Sequence, residues 1–138
     1  MKHEEEHVIE QIKQTVRENA SELMDISRGI LANIVNDELF DELDPRIQAV
    51  MLSSALCDYA TDLKANAFTE GYLKHILEDK EPVYATAVYI YCNWRVFATY
   101  KSDEELAHKY QAICDRIDDY VFDHWSKENV RFFVEQTD

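Results

Sequence analysis

Two glutamate and histidine pairs have the spacing found in dimetal carboxylate sites. Glu4 and His7 stand three residues apart, as do Glu105 and His108, so each pair lies on one side of a helix. Ligands of such a site must point inward between helices. At about 100° per residue, however, His7 and His108 lie roughly opposite the apolar stripes of their helices. We therefore expect solvated histidines, with no metal and no cofactor.

The remaining reactive side chains do not form a recognisable catalytic set. Cys114 and His124 share one predicted helix, but ten residues separate them by about 15 Å along its axis, too far for a nucleophile and its base. His124 is in phase with apolar residues and is predicted to be a hydrogen-bonded structural residue. The two glycines, Gly29 and Gly71, are too far apart for a phosphate-binding loop. These patterns predict a protein that is not an enzyme.

The cysteines and the apolar stretches indicate a cellular location. Cys57, Cys92 and Cys114 are distant in sequence and each lies in an apolar helical pattern, which is typical of reduced core thiols in a cytoplasmic protein. The N-terminal residues 1–7 contain no apolar run, so no signal peptide is expected. The longest apolar stretch, 83–100, contains polar side chains and is interpreted as a buried helix, not as a membrane span.

Helical periodicity predicts an all-α protein, folded as a compact single-domain bundle of about five to six helices over residues 1–138. A stripe of apolar residues from Ile9 to Ile34 predicts a long N-terminal helix over about 5–36, or two pieces with a break near 19–21. The stripe also repeats every seven residues. This seam favours packing within the chain, and a homodimer through the first helix is the alternative.

The later helices are predicted from their start signals and from their apolar faces. A helix near 82–100 is apolar nearly all round and is the expected centre of the bundle. Arg95 lies inside it, and we expect a buried ion pair or a snorkelling side chain, with a ligand-binding arginine as the alternative. Asp44 and Pro45 predict the start of a helix over 45–64, and Pro82 predicts the start of the central helix. Thr69 predicts a short helix whose inward side chains are Tyr72, Leu73, Ile76 and Leu77.

A capping box of Ser102 and Glu105 predicts the start of the next helix. Ser126 predicts a last helix whose inward side chains are Val130, Phe133 and Val134.

The charge of the chain is strongly negative and is concentrated in two places. Asp and Glu number 28 against 14 Lys and Arg, a net charge of −14, which opposes binding to nucleic acid or anionic lipid and favours a basic protein partner. The first cluster, the acidic connector, consists of Asp37, Glu38, Asp41, Glu42 and Asp44, with Phe40 among them as an expected apolar anchor for a partner. The second cluster, the acidic ridge, consists of Asp115, Asp118, Asp119 and Asp123.

The spacing of the ridge suggests a function. Carboxylates four residues apart on a helix stand about 6 Å apart along its axis, not far from the separation of successive phosphates on a nucleic acid strand. Small size, an all-α pattern, acidity and the missing catalytic motif together resemble, in type only, the nucleic-acid-mimic inhibitors of phages and other mobile elements, such as anti-restriction and anti-CRISPR proteins. The resemblance implies a cytoplasmic inhibitor that binds a nucleic-acid-handling enzyme, here through the connector and the ridge, and no membrane.

Three other interpretations stay open. Acidic faces can simply keep a small helical protein soluble and monomeric. A helical adaptor, a secretion-type chaperone or a toxin-immunity protein would bind its partner through an apolar groove or through the seam of the first helix, at residues such as Leu23 and Ile30. A small helical enzyme or metal protein is the third interpretation.

Overall fold

The computed structural model describes Glu10, residues 40–60 and residues 63–137, and these ranges contain helices and no strand. The predicted all-α class is confirmed for this part of the chain. The predicted N-terminal helix over 5–36 lies outside the described residues, apart from Glu10. The helices are α1 (Pro45–Ala55), a π-helix (Leu56–Ala60), α2 (Glu70–Glu78), α3 (Val83–Thr99), α4 (Glu104–His124) and α5 (Lys127–Thr137).

Helix α3 is the centre of the described bundle, as its composition predicts. Four consecutive residues, Ala85 to Val88, have no exposed surface, and four residues span more than one full turn of a helix. This turn of the helix is therefore surrounded on all sides, and the helix packs against α1, α2, α4 and α5. Its short alanine side chains allow this close approach. Over the described ranges, no helix has the length and apolar composition that a bilayer crossing requires.

The predicted helix over 45–64 is only partly correct. Asp44 caps α1 as expected, since its carboxylate accepts a hydrogen bond from the backbone N–H of Arg46 at 2.8 Å. The α-helix ends at Ala55, however, and a π-helical turn follows. Beyond it the chain reverses through Lys64 and Ala65, which have positive φ angles of 52° and 78°. Left-handed backbone costs a non-glycine residue about 1–2 kcal/mol, so tertiary contacts must hold this reversal.

Helix α2 begins where its cap predicts. The Thr69 hydroxyl accepts a hydrogen bond from the backbone N–H of Tyr72 at 3.1 Å. All four apolar residues that were expected inward are buried. The amphipathic pattern alone therefore places this short helix correctly.

The start of α4 differs by one residue from the predicted capping box. Asp103, not Ser102, is the cap, and its carboxylate accepts a hydrogen bond from the backbone N–H of Leu106 at 3.1 Å. Ser102 lies in the turn before it, where its N–H donates to the Thr99 carbonyl. Aspartate and serine are about equally good N-caps, so sequence preference does not separate the two registers.

Helix α5 begins after Ser126, whose hydroxyl accepts a hydrogen bond from the backbone N–H of Asn129 at 3.2 Å, as predicted. Of the three side chains expected inward, Phe133 is buried and Val130 is half-buried. The prediction for Val134 is wrong, because its side chain is 40% exposed. Within the described residues, α5 contacts the bundle mainly along one narrow face centred on Phe133, which leaves the neighbouring position uncovered.

Candidate functional site

Helix α4 presents the acidic ridge on its outer side. The residues Tyr110, Ile113, Ile117 and Val121 are buried and turn the opposite face outward. The exposed ridge residues are Asp115, Asp119 and Asp123, while Asp118 is half-buried at the edge of the ridge. The structure thus brings the four predicted carboxylates together along three successive helical turns.

The edge of the ridge is electrostatically strained. Partial burial raises the pKa of Asp118, and the nearby carboxylates of Asp115 and Asp119 raise it further. The hydroxyl of Tyr89 donates a long hydrogen bond of 3.5 Å to Asp118 and acts in the opposite direction. Burial, followed by the negative charge of Asp118, raises the pKa of Tyr89 to about 12. A proton or an external cation near Asp118 would relieve this strain.

Arg116, the arginine next to the ridge on α4, is engaged elsewhere. Arg116 donates two hydrogen bonds to Glu70 on α2, at 2.9 and 2.7 Å, and its guanidinium lies over the ring of Tyr120. Asp115 accepts a hydrogen bond from the neutral side chain of Gln111 at 3.0 Å. In the described part of the chain, no lysine or arginine nitrogen lies within 4 Å of a ridge carboxylate. The ridge therefore keeps its negative charge facing solvent.

Fewer side chains of the acidic connector are available to a partner than its composition suggests. Phe40, the expected anchor for a partner, is 2% exposed and packs inside the hydrophobic core. Its side chain is not at the surface, and we exclude it from the proposed interface. Asp44 is occupied as the cap of α1, and its hydrogen bonds with Arg46 lower its pKa. Asp41 and Glu42 are exposed.

Asp37 and Glu38, the other two connector acids, lie outside the described residues. The connector therefore contributes two exposed carboxylates in the described part, where the sequence predicts three and an aromatic anchor. The reason is that two residues within the acidic cluster have structural roles that the charge pattern does not indicate. A phenylalanine flanked by acids can still be a core residue, and an aspartate before a proline is usually a helix cap.

A groove beside the ridge is the surface feature that the sequence reading missed. It lies at the corner between α4 and α5 and has a volume of about 630 Å³. Its apolar walls are Phe122, Trp125, Val130 and Val134. Phe122 is 58% exposed and stands three residues after Asp119, on the same outer face of α4. An aromatic residue outside the buried stripe of its own helix was the available signal.

A second unpredicted feature is a hydrogen-bonded cluster around Asp58, which has no exposed surface. Its carboxylate accepts hydrogen bonds from the Tyr91 hydroxyl at 2.8 Å, from the Tyr110 hydroxyl, and from the Ala65 N–H at 2.6 Å. The guanidinium of Arg95 lies 5.4 Å from the centre of the Tyr110 ring. The predicted burial of Arg95 is confirmed, since this residue is 8% exposed.

The Asp58 cluster fixes the fold and is closed to solvent. It connects the loop after the π-helix to α3 and to α4, which explains how the left-handed backbone at Lys64 and Ala65 is held. Burial raises the pKa of both tyrosines above the ordinary value, and the carboxylate of Asp58 adds to this effect. Both hydroxyls therefore keep their protons and remain donors.

His124 differs from its prediction. It is exposed, and its ring packs against Tyr120 with 4.5 Å between the ring centres. His124 is the last residue of α4, and none of the described helices covers its side chain. Glu105 and His108 are exposed, as the helical phase predicts. Glu4 and His7 lie outside the described residues.

The thiols are placed for packing and not for reaction. None of the three cysteines forms a disulfide, and Cys92 and Cys114 are buried while Cys57 is half-buried. Burial raises the pKa of Cys114 to about 12 and raises those of Cys57 and Cys92 above the ordinary value. A thiol with a raised pKa is a poor nucleophile at neutral pH. Among the described residues, no group of three His, Cys, Asp or Glu side chains is placed to hold a metal ion.

Comparison of the chain with known protein families, curated proteins and solved structures gives no match. The geometry of the ridge and of the groove therefore carries the functional inference.

Proposed function

We propose that this chain is a non-catalytic binding module that inhibits a nucleic-acid-binding protein by occupying its basic surface with the acidic ridge. One observation carries the proposal: Asp115, Asp119 and Asp123 are exposed on successive turns of α4, and no described lysine or arginine is within 4 Å of them. Successive carboxylates rise by about 6 Å along the helix axis, which suits contacts with a row of lysines or arginines.

The energetics of the ridge support an external partner. Like charges four residues apart on a helix cost about 0.2–0.5 kcal/mol per pair, and the ridge contains two such pairs. Cations of a partner would remove that cost on binding. The net charge of −14 would also steer a basic partner toward the chain and increase its association rate.

We also include the acidic connector in the proposed interface. Asp41 and Glu42 are exposed, and we include them with Asp37 and Glu38 as a second set of carboxylates for the same partner. The proposal is of the anti-restriction or anti-CRISPR type, with a nucleic-acid-handling enzyme as the partner and with no direct contact to nucleic acid or membrane. A cytoplasmic location belongs to the proposal, because three cysteines without a disulfide fit a reducing compartment.

The test is a salt-resolved capture experiment with charge-matched variants. The ridge variant carries Asp115→Asn, Asp119→Asn and Asp123→Asn. The control carries Glu10→Gln, Glu78→Gln and Glu81→Gln, which removes the same charge from exposed positions off the ridge. Proteins captured from a lysate are eluted with increasing salt and identified, and affinities for the identified partner are then measured at several salt concentrations.

We expect the ridge variant to lose about tenfold or more in affinity and to show a flatter salt dependence, since each exposed ion pair is worth about 0.2–1 kcal/mol. The control should keep most of its affinity. Equal affinities for the ridge variant and the control would overturn the proposal, because charge in general and not the ridge would then determine binding.

A second candidate function is a helical adaptor, secretion-type chaperone or toxin-immunity protein. The half-exposed Phe122 and Val134 in the apolar groove favour it. Its alternative contact, the seam of the first helix at Leu23 and Ile30, and a homodimer through that seam, stay predictions. An adaptor of this kind would retain its partner at high salt, where ridge binding is screened.

A further inference from the structure

We infer that the groove between α4 and α5 binds apolar side chains of the same partner segment whose basic side chains contact the ridge. The ligand is then a cationic amphipathic segment of a protein, with apolar residues on one side and lysine or arginine on the neighbouring side. This inference rests on the proposed function and adds to it the chemistry of the partner.

The groove is open to solvent and large enough to receive side chains of a partner. A volume of about 630 Å³ is within the range of about 300–1,000 Å³ that is typical of ligand sites. Phe122 and Val134 leave 58% and 40% of their side chains exposed, so apolar atoms of a partner could still cover both of them. Covering these two side chains with apolar atoms would give the partner a favourable contact that does not depend on salt.

Neighbouring contacts hold the walls of the groove in place. The rings of Phe122 and Trp125 each pack edge-on against the buried Phe133, with 6.0 and 6.2 Å between ring centres. The indole N–H of Trp125 donates a hydrogen bond to the Leu77 carbonyl on α2 at 2.9 Å. A partner therefore meets a rigid wall, so little conformational entropy is lost on binding.

The charges on the two sides of the groove differ. On the α4 side, Phe122 is three and four residues from Asp119 and Asp118, so these carboxylates are its neighbours on the helix surface. On the α5 side, two positive side chains and one negative side chain line the groove, namely Lys127, Arg131 and Glu135. A cation on the partner is therefore attracted more strongly to the α4 side than to the α5 side.

This polarity defines the occupant and its orientation. A purely apolar segment would leave the negative charge of the ridge without a positive partner. A simple polycation would leave Phe122 exposed to water. An anionic lipid surface is repelled by the net charge of the chain. A segment with adjacent apolar and basic faces satisfies both the groove and the ridge, with its basic face toward α4.

The test uses two synthetic helical peptides of equal charge. One carries leucines on one face and lysines beside them, and the other carries serine in place of each leucine. Binding is followed by the fluorescence of Trp125 in a Trp94→Phe background, since Trp125 lines the groove and the sequence has one other tryptophan. We expect the leucine peptide to bind about tenfold more tightly and to shift the Trp125 emission, whereas the serine peptide should not shift it.

Two exposed aromatic residues provide the matched variants. Phe122→Ser should abolish the preference for the leucine peptide and leave the affinity for the serine peptide unchanged. Phe97→Ser removes a side chain that is 67% exposed on α3, away from the groove, and should change neither affinity. Circular dichroism and thermal unfolding of both variants check that the fold is retained.

The outcomes separate the inference from the proposed function. Equal affinities of the two peptides for the wild-type chain would overturn the inference and leave the ridge proposal standing. Leucine-peptide binding that is unaffected by the Asp115→Asn, Asp119→Asn and Asp123→Asn changes and by salt would overturn the proposed function, since the ridge would then contribute nothing. Failure of both peptides to bind at low salt would overturn both.

Discussion

Aspartate occurs in two contrasting settings in this protein. Asp58 has no exposed surface, and its carboxylate accepts three hydrogen bonds from a loop, from α3 and from α4. Asp119 and Asp123 on the ridge are exposed, with no described lysine or arginine within 4 Å. In the first setting the fold supplies every donor. In the second the donors must come from solvent or from a partner, which is the reason for assigning structure to the first and binding to the second.

The largest expected effect is on the buried side of this comparison. Asp58→Ala removes the acceptor of all three hydrogen bonds and leaves two tyrosine hydroxyls and a backbone N–H buried without it. We expect a loss of about 3–5 kcal/mol in the free energy of unfolding, measured by urea denaturation. Asp119→Asn is the surface control and should change this free energy by less than about 0.5 kcal/mol.

A milder variant keeps the comparison measurable if Asp58→Ala does not fold. Tyr110→Phe removes one hydroxyl and should cost about 1–2 kcal/mol, and Tyr91→Phe should behave alike. Both hydroxyls donate to the same oxygen of Asp58, so their effects should be coupled. The cost of the double variant in free energy of unfolding should therefore differ from the sum of the two single costs. A cost near zero for each single variant would show that the cluster does not hold the fold, whereas strict additivity would show that the two hydroxyls contribute independently.

Changes in the ridge should affect the free energy of unfolding in the opposite direction. Replacing Asp115, Asp119 and Asp123 by asparagine removes two repulsive pairs on α4 and should raise the free energy of unfolding by about 0.5 kcal/mol at low salt. The gain should disappear at high salt, where surface charges are screened. A thermal unfolding series at several salt concentrations measures it. A loss of stability would mean that these carboxylates have a structural role after all.

The smallest expected effect is a difference in pH dependence between a ridge aspartate and a capping aspartate. The pKa of Asp118 is raised in the folded state, so its folded form binds protons more readily and its contribution to stability falls as the pH rises through this pKa. The pKa of Asp44 is lowered, so its contribution is present above the unfolded pKa and is lost as the pH falls through the folded value.

Stability measured across the acid range, on both sides of the usual aspartate pKa of about 3.9, distinguishes the two. Asp118→Asn should remove a decrease of stability with rising pH, and Asp44→Asn should remove an increase. Identical slopes for the two variants would contradict the opposite environments that the structure gives these carboxylates.

The sequence predicts features that depend on neighbouring residues. The apolar run of α3, the Thr69 cap and the inward side chains of α2 are each encoded within a few residues, and the structure agrees with all of them. The solvent-facing side of the ridge also follows from helical phase, because the buried stripe of α4 is unambiguous.

Features that depend on distant residues were not predictable in this way. The burial of Asp58 requires tyrosines that are 33 and 52 residues away in the chain. The groove requires the position of α5 relative to α4. Phe40 is buried because it packs into the core, and its acidic neighbours in the sequence give no indication of this contact. In each case local pattern and tertiary packing conflict, and packing determines the outcome.

The position of the Asp58 cluster also bears on the order of folding. Its hydrogen bonds join parts of the chain that are far apart in sequence, and contacts of that kind form only after the loop-closure entropy has been overcome. The left-handed turn at Lys64 and Ala65 is therefore stabilised late, once α3 and α4 have docked. The amide proton of Ala65, which donates to Asp58 from a buried position, should then exchange with solvent only when the whole cluster opens.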